Sequence, residues 1–146
     1  EQLAVVAVFT LSFMVLRSYT GGYHSDSRVF CYLGSNLVLL VPVYTQAVFY
    51  KTSLAWLLAV LLVSAGIIFL LSPMHSKNRK LDKEEQKHFG RKARLIAALE
   101  LAVLGILWHA GQIPYAYAVY TGICITALFM LVGKAQLWIQ SHTENG

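Results

Sequence analysis

"TSLAWLLAVLLVSAGIIFLLSP", residues 52–73, sets the fold class. From Thr52 to Leu71 the stretch carries no Asp, Glu, Lys or Arg, and a helix of that length rises about 30 Å, the thickness of a bilayer's hydrocarbon core. Lipid offers no hydrogen bonds, so such a segment must satisfy its backbone internally, and a lone segment does so only as a helix. Pro73 lacks the N–H that would continue that helix and ends it after Ser72.

The same signal recurs on both sides. Val29–Tyr50 and Ile113–Gly133 are also uncharged, and shorter apolar runs cover Leu3–Leu16 and Leu95–Trp108. Over the 146 residues, 57% are apolar, above the ~45–50% of soluble domains. The expectation is an all-α polytopic transmembrane helix bundle of about five spans, forming one membrane-embedded domain over residues 1–146. Gly111 and Pro114 break spans four and five into a tight hairpin, and "KAQLWIQSHTENG" continues as a short interfacial helix. The chain begins at Glu1 without an initiator methionine, so a further N-terminal segment is expected. With no basic region before the first run and no small-residue cleavage site after it, that run does not read as a signal peptide.

Charge orients the bundle, because Lys and Arg in short loops stay on the cytoplasmic side. Arg17 and Arg28 flank the first connection, and "HSKNRKLDKEEQKHFGRKAR" holds eight Lys/Arg against three Asp/Glu. Both are expected to lie inside, with Lys51 and the turn "HAGQIP" outside. Tyr50, Trp56, Trp108, Tyr115 and Tyr117 cluster near those outer turns, at headgroup depth.

Between the first two spans lies "RSYTGGYHSDSRVFC", residues 17–31. Gly21 and Gly22 admit positive φ, so the chain can leave its helix and fold back. Ser25, Asp26 or Ser27 can cap the next helix, which puts Cys31 in or near its first turn, where the positive end of the helix dipole favours a thiolate. In one continuous helix His24 and Cys31 would lie about 10 Å apart along the axis. From a glycine-hinged loop, His24 can instead reach over the helix start and take the thiol proton, as a Cys/His dyad requires. On residue types alone, an inert thiol and an interfacial histidine read equally well.

The order Arg17, Gly21-Gly22, His24 and Cys31, followed by a basic loop opening "SPMHSKNRKL" and two closing spans, resembles the AgrB family, the accessory gene regulator membrane endopeptidases of bacterial peptide quorum sensing. The likeness covers nearly the whole chain. It implies that His24 and Cys31 are the catalytic pair and that Arg17 and Gly22 are required. It also implies that residues 17–31 form a catalytic cytoplasmic loop and helix start in a bacterial cell membrane. The implied substrate is an AgrD-like precursor with an amphipathic leader, a central Cys or Ser and an acidic tail. Cys31 would cut at the tail junction, and the precursor's own side chain would close a thiolactone or lactone. A homodimer is also implied.

Two further features fit such a substrate. The basic loop, residues 73–94, can hold an acidic tail, with Lys77, Arg79 and Lys80 as binding residues, or can report topology and meet anionic lipid. Glu100 lies within the fourth span, where a carboxylate needs a partner or a task. Arg17 at similar depth is one candidate partner, and Arg94 or Lys92 are others. A small transporter, in which His24 and Glu100 line a polar path, is the runner-up, and a noncatalytic membrane scaffold is a third reading. One His and one Cys do not complete a metal site, so neither a metal nor another cofactor is expected. No aromatic-basic stripe points to nucleic acid.

Overall fold

A computed structural model describes residues 1–20, 28–73 and 82–144. These residues form five helices: α1 (Gln2–Thr20), α2 (Arg28–Lys51), α3 (Leu54–Leu71), α4 (Lys83–His109) and α5 (Ile113–Glu144). No strand occurs among the described residues. The all-α bundle is as the sequence indicates. Of the five helices, α1, α3 and α5 are long and apolar enough to cross a membrane. In α2, Gly34, Asn36, Pro42 and Gln46 dilute the apolar run, and the first turns of α4 are charged.

Consecutive helices run antiparallel, so their ends gather at two poles. At one pole, two residues join α2 to α3 and three join α4 to α5. At the other, longer connections leave α1 and α3. The contact of Tyr19 with Phe89, ring centroids 6.3 Å apart, brings the end of α1 to the start of α4. The bond from Arg94 Nε to the Phe69 carbonyl, 3.2 Å, ties the end of α3 there too.

The α4–α5 turn is explained by its hydrogen bonds. The Gln112 N–H reaches the Leu107 carbonyl and the Gly111 N–H reaches the Trp108 carbonyl, the paired bonds of a Schellman cap. Gly111 sits at φ +74°, where a side chain would be strained. Pro114 falls in the first turn of α5, where its missing N–H costs nothing.

α5 is the central post. It buries Ala116, Ala118, Gly122, Ala127 and Gly133, whose small side chains let neighbours approach, along with Tyr117, Ile123 and Met130. Against it α1 lays Val5, Phe9, Ser12, Leu16 and Thr20, spaced four, three, four and four along one face. In lipid, the gain from such contacts is close packing rather than removal from water. One core joins Leu16, Leu61, Ile68, Ala97 and Met130, and a second joins Val5, Phe9, Val38, Phe49 and Tyr117.

Tyr117 departs from expectation. It is 1% exposed, and its hydroxyl donates to the Pro42 carbonyl at 2.8 Å and lies 2.6 Å from Thr45 Oγ1. A phenol that finds partners between helices has no need of the headgroup zone. The helical start of α4 also lies earlier than the apolar run at Leu95, because Asp82 opens the helix and Glu85 accepts its backbone N–H at 3.4 Å. Glu84 and Glu85 then face the positive end of the dipole, so Lys83–Arg94 forms helix within the basic stretch. α5 likewise runs unbroken past Gly133 to Glu144.

Candidate active site

Two of the residues singled out in the sequence, Arg17 and Cys31, belong to helix ends at the pole of long connections. α1 stops at Thr20, α2 starts at Arg28, and Cys31 is the fourth residue of α2, in its first turn. Thiol chemistry at that position benefits from the free N–H groups and positive dipole of a helix start. Gly21, Gly22 and His24 lie outside the described residues, as do Lys77, Arg79 and Lys80.

Arg17, in the last turn of α1, has its guanidinium 4.6 Å from the Phe129 ring centroid and 5.6 Å from that of Phe13. Both rings belong to one aromatic column, in which Phe13 stacks on Phe9 and tilts against Phe129. Stacking on aromatic faces suits a guanidinium better than an ammonium, because the planar ion is weakly hydrated. The cation is thereby held beside the point where the chain enters residues 21–27. Lys92 makes a similar approach to Tyr19, 5.9 Å from its ring.

Glu100 is where the sequence left several partners open. Its Oε2 accepts a 2.6 Å hydrogen bond from Ser12 Oγ of α1. Arg94, one of the expected partners, donates to the Phe69 carbonyl, and Lys92 lies over Tyr19. Ser12 was invisible as a functional residue in the sequence, since one serine in an apolar helix carries no signal of what it faces. The carboxylate opposite it was the only available clue.

Cys124, the second cysteine, is half-buried in α5. It meets Ser64 and Tyr120 and lines a cavity of about 390 Å³ with Val41, Phe49, Trp56 and Tyr117. Those residues come from the later half of α2 and the early halves of α3 and α5, so the cavity lies toward the pole of short turns, away from Cys31. Among the described residues, no three His, Cys, Asp or Glu side chains converge as metal ligands would.

Comparison with known proteins adds an independent line. The family model described as accessory gene regulator B matches residues 1–131. The chain is also similar to accessory gene regulator protein B of Staphylococcus intermedius, with 26% identity over 121 residues. That alignment takes in 83% of this chain and 62% of the relative, so the chain spans under two thirds of the relative's length. No solved structure matches.

Proposed function

Because the chain belongs to the accessory gene regulator B family, we propose that it acts in peptide quorum sensing as a membrane-embedded cysteine endopeptidase on an AgrD-like precursor. The observation that carries the reading is Cys31 in the first turn of α2, seven residues after His24 and fourteen after Arg17 in the sequence, with Gly21-Gly22 between. A helix start favours a thiolate through its dipole, and a Cys/His pair needs a base within reach of that thiol, the role this reading gives to His24.

The reaction runs in two acyl transfers. His24 takes the Cys31 proton, and the thiolate attacks the carbonyl carbon at the tail junction. A C–S bond forms, the C–N bond breaks, and the imidazolium gives its proton to the departing amine. The precursor's central thiol or hydroxyl then attacks the thioester, its proton passing to His24, and Cys31 leaves as thiolate while the ring closes. Water competes for that thioester. A tethered nucleophile prevails because its effective concentration is high and the membrane surface keeps water scarce. Forming a thioester from an amide is uphill, so release of the acidic tail draws the first step forward.

The positive-inside pattern supports a cytoplasmic position for this pole. Glycine-hinged residues 21–27 and the Lys77, Arg79 and Lys80 cluster then share one face of the membrane. A basic stretch on the same face of the membrane as the proposed nucleophile suits an acidic tail by charge. The protein functions as a homodimer in contact with lipid.

The test is reconstitution into vesicles with a precursor carrying an amphipathic leader, a central cysteine and an acidic tail. A peptide adduct of the expected mass should appear on Cys31, and His24→Ala should slow alkylation of Cys31 by a small thiol reagent near pH 7. Cleavage that proceeds normally in Cys31→Ala would refute the peptidase reading.

A further inference from the structure

A hydroxyl inside an apolar helix commonly satisfies itself by donating to the carbonyl one turn back. Thr10, Ser18, Thr45, Thr52, Thr121 and Thr126 all do so, at 2.7 to 2.9 Å. Ser12 instead donates across the bundle to Glu100 of α4, although it is 7% exposed and sits in the middle of α1. A third helix closes on the same point. A Cβ placed on Gly122 of α5 would stand 2.5 Å from Ser12 Oγ and 3.1 Å from Ser12 Cβ, so only glycine allows this approach. The serine hydroxyl is thus confined by α5 on one side and held by α4 on the other.

We propose that Ser12, Glu100 and Gly122 form a three-helix clamp that fixes the rotation and depth of α1, which makes Ser12 and Glu100 positioning residues for the reaction at residues 17–31. The inference rests on the peptidase reading for its effect on rate, and on the structure alone for its effect on α1. Arg17 follows Ser12 by five residues, about 7.5 Å along the helix, and a slip of one residue turns a helix by about 100°. Such a slip takes Arg17 off the face of Phe129 on α5 and changes the direction in which the chain leaves α1. An apolar stripe alone does not prevent it, because neighbouring apolar side chains are nearly interchangeable against lipid. One hydrogen bond with a single acceptor is specific to one register.

The clamp needs an acceptor at position 100 rather than a charge. Glu100→Gln keeps that acceptor, and Glu100→Leu removes it. In single-turnover cleavage by reconstituted protein, Ser12→Ala and Glu100→Leu should each lower the saturating rate about tenfold, with the half-saturating precursor concentration within about twofold of wild type. The double variant should be no slower than the worse single, and Glu100→Gln should remain within about twofold of wild type. Additive losses, or a glutamine variant as slow as the leucine one, overturn the proposal.

A second readout needs no activity. Spin labels at Ser18→Cys and Lys87→Cys, both exposed, in a background with Cys31→Ser and Cys124→Ser report the position of α1 against α4. Glu100→Leu should displace or broaden that distance by about 2 Å or more, and Glu100→Gln should leave it unchanged. An unmoved distance in the leucine variant overturns the clamp whatever the kinetics show. A wild type that cleaves no precursor, with labels that move as expected, refutes the peptidase reading and upholds the clamp.

Discussion

The two poles of the bundle are built from different materials. At one, the connections are two and three residues long, and Ala110, Gly111 and Gln112 of the α4–α5 turn all donate backbone hydrogen bonds. At the other, seven and eleven residues link the helices, and residues 17–31 and 73–94 are rich in ionisable residues. Short turns over-determine geometry and leave no slack for a substrate. Longer segments on a rigid base can close around one. On the proposed reading the short-turn pole serves architecture and the long-connection pole serves chemistry, and each half of that division can be attacked by substitution.

The cysteines offer the largest contrast. Cys31→Ala should abolish precursor cleavage, a loss of at least about 10³-fold for a removed nucleophile, with membrane insertion intact. Cys124→Ala, toward the other pole, should cleave at the wild-type rate. Mass spectrometry of the cleaved tail reads both, and equal activity in the two variants would erase the distinction.

The glycines test it from a second side. Gly22→Ala should cost activity on the order of tenfold or more while leaving the unfolding midpoint in detergent unchanged, because it stiffens a working segment. Gly111→Ala should do the reverse. It forces a side chain into φ +74° and should cost about 1 kcal/mol of stability with cleavage unaffected. Tyr117→Phe should cost less, about 0.5–1.5 kcal/mol, by removing the hydroxyl between α5 and α2, again with no change in rate per folded molecule.

The smallest effect belongs to the basic cluster. Neutralising Lys77, Arg79 and Lys80 together should raise the half-saturating precursor concentration roughly threefold at 0.1 M salt and hardly at all at 1 M, where the screening length shrinks to about 3 Å. The saturating rate should stay constant. A collapse of that rate with unchanged affinity would place these side chains at the reacting bond rather than at a docking surface.

Much of the scaffold was legible because lipid imposes so few solutions. Uncharged runs could only be helices, and Pro73, Gly111 and Pro114 marked ends that a helix cannot pass. The errors came where charge and apolarity were read as if they also defined secondary structure. Residues 83–94 are too polar to read as a span, yet they form helix, because Asp82 and Glu85 stand at capping-box spacing and good helix formers follow. Tyr117 had the composition of a belt residue, and only the fold brings Pro42 and Thr45 to its hydroxyl. The candidate pair rests on order and spacing alone, Gly21-Gly22, His24 and Cys31, and α2 as described begins at Arg28, three residues before Cys31. The contacts of Glu100 were not legible, since which residue of α1 faces α4 depends on how three helices register, and periodicity along one chain does not encode the relative rotation of two others.

The bond between Ser12 and Glu100 also bears on how the protein is made. Most hydroxyls in these helices are already satisfied by their own backbone, so each helix can enter a bilayer alone with its polar groups hidden. Ser12 instead takes an acceptor encoded 88 residues later. At roughly 5–20 residues per second of synthesis, α1 waits on the order of 4–18 s for α4 to emerge. During that interval it must remain free to diffuse sideways in the membrane, and its capture by α4 and α5 is a late event of biogenesis. α1 therefore reaches its final register against α4 and α5 only after nearly the entire chain has been translated.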